Sequence, residues 1–224
     1  FEGRIESLEE AARELEAAGD VAGAAMAYGA LAGWLTWQGQ LERGLRSAER
    51  GLELIGPADR AERAVLLAYH ALTSLCLHRF DTVFEEAAEA ESLAEHVTDP
   101  WTLGELFDAI AWLYYFACFP QKGQEAGPRA AAAYEAAGEV AQACYPRIPS
   151  LSSAALEGRV SADGPEWAEL RRLSEQRLAF QPAYTAAINV ASQRLQAGDL
   201  AEAERIGEEV LALASEMRIF ALVP

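Results

Sequence analysis

The chain has 224 residues, 51% of them hydrophobic, and its 18 basic and 35 acidic side chains give a formal net charge of −17. This composition excludes a disordered or fibrous chain and is typical of a folded domain. The negative charge repels nucleic-acid phosphates and anionic lipid surfaces, so we expect no direct contact with nucleic acid and no membrane association.

Apolar residues recur at three- and four-residue steps along the whole chain, which predicts an all-α protein. Helices are expected to end at Gly19-Asp20, Gly39 and Gly56-Pro57, because glycine relieves the strain of a helix end and proline cannot extend a helix. The predicted helices cover about residues 5–17, 21–38, 40–55, 60–78, 81–96, 101–118, 121–137, 139–158, a segment opened by Gly164-Pro165, 183–197 and 200–217. Pro146 and Pro149 are expected to kink or split the helix at 139–158.

The predicted helices form five pairs, and this repetition predicts the architecture. The pairs begin near Val21, Glu62, Trp101, Val140 and Ala183, and the helix at 5–17 precedes them. A period of roughly 40 residues predicts an α-solenoid, in which each unit packs on its neighbours. We therefore expect residues 1–224 to form a single elongated repeat domain of about eleven helices, cut from a longer protein.

Two sets of residues repeat the spacing of a bulky, an apolar, a small and a second bulky side chain. They are Phe107, Ile110, Ala111 and Tyr114, and Tyr28, Leu31, Ala32 and Leu35. This spacing resembles the first helix of the tetratricopeptide repeat, and the longer period is similar to variants in large bacterial signalling proteins such as LuxR-type and ATPase-linked regulators. The resemblance implies a right-handed superhelix with a concave binding groove in a cytoplasmic regulator. The family prefers a small residue early in the second helix, and Gly44 and Gly123 match this preference. Val83 at the equivalent position is larger, and the turns at His78-Arg79 and Cys118-Phe119 lack glycine.

The same register predicts which side chains line the groove. If Phe107 and Tyr114 face the paired helix, a second set of residues turns toward the concave side. The candidate groove residues are Tyr69, Asp108, Trp112, Tyr115, Phe116 and Asn189, with Leu72, Ser192 and Gln196 beside them. Such aromatic residues with a carboxylate suit a ligand cradle, although large aromatics at helical spacing are more often core. We expect Trp34 and Trp37 to join the first two units rather than to extend this surface.

Signatures of catalysis and of metal or cofactor binding are absent from the sequence. It contains no G-x-x-x-x-G-K-[ST], H-E-x-x-H, G-x-S-x-G or G-x-G-x-x-G. His70 and His78 share a helix face, which suits a metal site, but an isolated pair of histidines is more often structural. The acidic run from Glu85 to Glu95 suits a cation or a basic partner, but we favour a solvated helix face.

Cysteine usage and the length of apolar runs bear on the compartment. Cys76, Cys118 and Cys144 lack C-x-x-C spacing and fall in apolar helical patterns, so we expect reduced, buried thiols in a cytoplasmic protein. The longest apolar run, residues 109–119, is shorter than the roughly 18 residues that suggest a membrane span.

These features predict a non-enzymatic regulatory module that binds a protein or peptide segment, or a small-molecule effector, in its groove. No cofactor is expected. The alternative is an architectural scaffold that forms a homodimer or larger assembly through apolar residues near Ile219, Phe220 and Leu222. A remote alternative is an α-helical enzyme that uses Asp108 with His70 and His78.

Overall fold

The computed structural model describes residues 2–57, 61–177 and 179–216. Within these ranges it contains eleven α-helices and two short 3-10 helices, Ala94–His96 and Gln142–Cys144, without a β-strand. The all-α prediction is therefore confirmed. The α-helices are α1 (Glu2–Ala17), α2 (Val21–Trp37), α3 (Leu41–Ile55), α4 (Ala61–Cys76), α5 (Val83–Leu93), α6 (Pro100–Phe116), α7 (Pro120–Ala136), α8 (Arg147–Leu156), α9 (Pro165–Gln176), α10 (Phe180–Gln196) and α11 (Leu200–Glu216).

Local signals place the helix ends. The Asp20 carboxylate accepts a hydrogen bond from the Gly23 N–H at 2.9 Å and caps α2, as predicted. Asp99 caps α6 in the same way through the Thr102 N–H at 2.8 Å. Such caps satisfy backbone donors that have no partner within the first turn of a helix. Gly19, with φ of 78°, closes the turn between α1 and α2.

The proline-containing segment is split, as the sequence predicts. A 3-10 turn ends at Cys144, Pro146 occupies the N-cap position, and α8 begins at Arg147. Pro149 then lies in the first turn of α8, where a missing N–H leaves no intrahelical bond unmade. Farther along, Pro165 opens α9 at its expected position.

Most helices pack against the next helix in the chain, and the first helices of successive pairs also touch. Contacts join α2 to α4, α4 to α6, α6 to α8 and α8 to α10. The largest buried cluster draws most of its residues from α4 to α7, and it includes the motif residues Phe107, Ile110, Ala111 and Tyr114. These contacts fit stacked helix pairs, except that α8 and α9 of the fourth predicted pair barely touch and α9 packs mainly on α10. The solenoid superhelix and its hand remain predictions.

The small residues expected early in two second helices do permit close helix approach. A Cβ atom added at Gly44 would lie 3.1 Å from the Ala32 carbonyl oxygen of α2. One added at Gly123 would lie 2.7 Å from the Ser153 Oγ of α8. Both distances are shorter than ordinary contacts with a methyl group, so these helices approach each other more closely than a side chain would allow.

The expected burial of the three cysteines is only partly correct. All are free thiols, but Cys144 is buried, Cys76 is half-buried and Cys118 is exposed. Cys118 lies outside the core because it occupies the turn after α6 with φ of 59°, and His78 has the same conformation after α4.

Two further expectations concern the membrane and the last residues. Among the described residues no helix is both long enough and apolar enough to cross a membrane. Ile219, Phe220 and Leu222, on which the self-association hypothesis relied, lie outside the described residues.

Candidate functional site

Four aromatic side chains from α2 and α6 meet in one patch, the aromatic surface: Trp37, Trp112, Tyr115 and Phe116. The ring centroid of Trp112 lies 5.1 Å from that of Trp37, 5.9 Å from that of Tyr115 and 5.5 Å from that of Phe116. These separations are typical of favourable aromatic pairs. Trp37 is 44% exposed and Phe116 is 45% exposed, so the surface is open to solvent.

The position of Trp37 corrects the expectation that it joins the first two units. Its ring contacts Trp112 of the third unit, although α4 packs against both α2 and α6. Trp37 shares a face of α2 with Gly33, one turn earlier. Gly33 lies so close to Tyr69 of α4 that an added Cβ would be 2.8 Å from the Tyr69 ring, so this face of α2 meets α4. Trp37 therefore extends the aromatic surface, and Trp34 is half-buried nearby on α2.

Tyr69, a predicted groove residue, belongs to a hydrogen-bond network in the interior. The Tyr69 hydroxyl donates to Glu105 at 2.7 Å, and the Tyr134 hydroxyl donates to the other oxygen of the same carboxyl group at 2.7 Å. Tyr69 is 4% exposed and Tyr134 is fully buried. Burial, with the charges of Glu105 and Asp108, raises the pKa of Tyr69 well above its usual value. The network joins α4 and α7 to α6.

Asp108 is also buried, and its Oδ1 atom has no hydrogen-bond partner. Burial, reinforced by the nearby Glu105 charge, raises the pKa of Asp108 well above its usual value. A hydrogen bond with Trp112 acts in the opposite direction and is the weaker effect. Asp108 thus lies next to the aromatic surface, and burial favours its neutral acid form.

Asn189 occupies a different part of the molecule from the other predicted residues. Its Oδ1 accepts a hydrogen bond from Ser152 of α8 at 3.0 Å, and its Nδ2 donates to the Thr185 carbonyl oxygen at 2.9 Å. The bond with Ser152 connects α10 to α8, whereas the bond to Thr185 lies within α10. The structure therefore brings together Trp112, Tyr115, Phe116 and Asp108, and it links Tyr69 to them through Glu105.

Three residues of this site were missed from the sequence. Glu105 precedes Asp108 by one helical turn, so the register used for Asp108 places both on one face of α6 and gives a usable signal. Trp37 was assigned a different role, and Tyr134 lies in an alanine-rich helix that matched none of the motifs.

His70 and the acidic candidates make structural contacts, whereas His78 lies in the turn after α4 and so does not share a helix face with His70 as predicted. His70 Nδ1 lies 2.7 Å from the Glu86 carboxylate, and Glu89 pairs with Arg63 at 2.7 Å. Burial would raise the pKa of Glu86, but hydrogen bonds from His70 and Thr82 outweigh it and the pKa is lowered. In the part of the chain that the structure describes, no three His, Cys, Asp or Glu side chains are grouped closely enough to hold a metal ion.

No protein-family model matches this sequence, and no curated protein is significantly similar to it. The resemblance to tetratricopeptide repeats therefore stays a prediction from the motif spacing.

Proposed function

We propose that this chain is a non-enzymatic binding module of a larger bacterial regulatory protein, and that the aromatic surface receives a peptide segment of a partner. The observation that carries the proposal is the contact of four rings from two non-adjacent helices, with Trp37 and Phe116 nearly half exposed. Aromatic side chains supply large, rigid contact areas and are enriched where proteins bind their partners.

The charge of the molecule indicates the chemistry of that segment. A net charge of −17 attracts a basic partner over distance. At close range, arginine and lysine bind favourably over the faces of tryptophan and tyrosine rings. We therefore propose a peptide that carries arginine or lysine beside apolar residues, with a small-molecule effector as the alternative outcome of the test. Regulation follows if the bound segment favours one arrangement of the helix pairs over another.

Selection from a random peptide library displayed on phage tests this proposal. We expect the selected peptides to be rich in arginine, lysine and apolar residues. Replacement of both Trp37 and Phe116 by alanine should weaken binding of a selected, labelled peptide by on the order of tenfold, as measured by fluorescence anisotropy.

The matched control is Phe80→Ala, which removes an aromatic side chain that is 54% exposed outside the aromatic surface. It should leave the affinity unchanged. An unchanged affinity in the Trp37 and Phe116 double variant, with helicity retained, would place the peptide elsewhere and reject the site. Selection of predominantly acidic peptides would contradict the proposed partner chemistry.

A second candidate function is self-association through the last helix pair. Leu195, Leu200 and Leu211 are more than half exposed, and such residues suit contact with a second copy. Sedimentation at several concentrations tests this function. A mass that rises with concentration, and falls when Leu195 and Leu200 are replaced by serine, would support it, whereas a constant monomer would reject it.

A further inference from the structure

A pocket of about 370 Å³ lies between α1, α2 and α3 and shares no lining residue with the aromatic surface. The apolar side chains of Leu31 and Leu35 form part of its wall, with Tyr28 beside them. The charged residues that line it are Arg13, Arg43, Arg46, Arg50 and Glu9. Four guanidinium groups thus face this pocket with a single carboxylate, in a protein whose acidic residues greatly outnumber its basic ones.

Two of these four arginines have no acidic partner in the described part of the chain. Arg43 pairs with Glu9, and Arg50 pairs with Glu16 and Glu53. In contrast, Arg13 and Arg46 form no ion pair with any described residue. The Arg13 Nε donates instead to the backbone carbonyl oxygen of Glu9 at 3.1 Å. The positive charge of the pocket is therefore only partly neutralised by the protein.

A second pocket, of about 350 Å³ between α9, α10 and α11, provides an internal comparison. Leu31 and Leu35 precede Gly39 by the same number of residues as Val190 and Arg194 precede Gly198. All four of these side chains line their respective pockets. The two pockets thus occupy equivalent places in two helix trios.

The charges at equivalent positions differ between the two pockets. Glu202 and Glu209 stand in the second pocket where Arg43 and Arg50 stand in the first. Arg205, the counterpart of Arg46, pairs with both glutamates. The other two arginines of the second pocket, Arg171 and Arg194, also have acidic partners. Unpaired guanidinium groups are therefore not a consequence of the helix arrangement but a property of the first pocket.

We propose that the first pocket, the arginine pocket, binds a small organic anion that carries phosphate or carboxylate groups. Guanidinium groups match the geometry of both anions and bind them with paired, charge-assisted hydrogen bonds. Arg13 and Arg46 are free to make those bonds, and the apolar wall at Leu31 and Leu35 contacts the carbon part of the ligand. This inference is independent of the proposed peptide site.

Isothermal titration at low ionic strength tests the proposal with four probes: phenyl phosphate, inorganic phosphate, citrate and benzylamine. We expect the anions to bind, with phenyl phosphate tighter than inorganic phosphate because of the apolar wall, and benzylamine not to bind. Stronger binding of phenyl phosphate than of citrate would assign a phosphate ester as the ligand. The reverse order would assign a polycarboxylate.

Arg46→Gln should weaken the affinity for the tightest-binding anion by about tenfold, which corresponds to the loss of one charged contact. Arg205→Gln, at the equivalent position of the second pocket, should change the affinity by less than about twofold. Replacement of both Arg43 and Arg50 by glutamate reproduces the charges of the second pocket and should abolish binding, while circular dichroism verifies folding. Equal affinities of the unmodified protein and Arg46→Gln, equal binding of benzylamine, or no binding of any anion at millimolar concentration would overturn the proposal.

Discussion

Cys118 shows how a single residue carries strain that equivalent turns of other units avoid. Its φ of 59° lies in the left-handed region, where the corresponding turns after α2, α8 and α10 use Gly39, Gly158 and Gly198. Only His78 after α4 shares the strained conformation among these five turns. A side chain in this conformation costs about 1 kcal/mol or more relative to glycine. The exposed thiol makes only a long contact of 4.0 Å to the Phe116 carbonyl oxygen. Removal of the thiol therefore removes little stabilising interaction.

We predict that Cys118→Gly stabilises the protein by about 0.5–1 kcal/mol in urea unfolding. The matched control is Cys118→Ala, which also removes the thiol but keeps the strained backbone, and it should leave the stability nearly unchanged. Equal stabilities of the two variants would show that the left-handed turn carries no strain.

The buried Asp108 predicts that the stability of the protein depends on pH. Its pKa is raised in the folded protein, so the folded state keeps the proton while the unfolded chain, with a pKa of about 3.9, releases it. Stability from this group is thus complete below pH of about 4 and is lost as pH rises toward the folded-state pKa. We predict that Asp108→Asn is more stable than the unmodified protein at pH 7, by roughly 1–3 kcal/mol, and that the difference shrinks toward pH 4.

Urea unfolding between pH 4 and 8 measures this difference. Asp81→Asn serves as the control, because Asp81 is exposed and surface substitutions usually change the free energy of unfolding by less than about 0.5 kcal/mol. If the stability difference at Asp108 were the same across the pH range, the buried, neutral acid would be the wrong description.

At the scale of elements, α6 is held by close contact on one side and by hydrogen bonds on another. Ala111 is fully buried in α6, where the small side chain lets other helices approach. We predict that Ala111→Arg lowers the free energy of unfolding by at least roughly 1–3 kcal/mol, because it forces bulk and charge into the core. Ala132→Arg, at an exposed position of α7, should cost little in the same thermal melt. Equal melting temperatures of these variants would mean that the register assigned to α6 is wrong.

Tyr69 and Tyr134 act on α6 from two different helices through one carboxyl group. Because both hydroxyls donate to Glu105, removal of either leaves an oxygen of that buried network without its donor. We predict that Tyr69→Phe and Tyr134→Phe each cost about 1–2 kcal/mol. The double variant should deviate from additivity by more than about 0.5 kcal/mol in urea unfolding, since residues of one network are coupled. Simple additivity would show that the two hydroxyls act independently.

At the scale of the whole molecule, the predicted solenoid has a measurable consequence. A compact domain of this length has a radius of gyration of about 17 Å. Contacts in the described part join mainly neighbouring helix pairs, and a row of such pairs is longer than it is wide. We predict a radius of gyration clearly above the compact value in small-angle X-ray scattering. A value near 17 Å would favour a closed bundle of the same helices.

Much of the fold could be predicted because its signals are local. The Asp20 cap, the left-handed Gly19 and the proline at the start of α9 each act within a few residues, so sequence spacing alone placed these helix ends. The spacing of Phe107 and Tyr114 likewise predicted which face of α6 is buried. Of the candidate site, the sequence predicted the aromatic part of α6 for the same reason.

The sequence by itself therefore determined the helices and most of their buried faces, because hydrophobic periodicity and caps depend on near neighbours along the chain. Only the tertiary structure decided which distant side chains meet. Trp37 reaches Trp112 across the intervening unit, Tyr69 and Tyr134 share Glu105, and Arg46 faces a pocket without an acidic partner among the described residues. Such contacts depend on how whole helices are placed against one another, and no short spacing in the sequence records that placement.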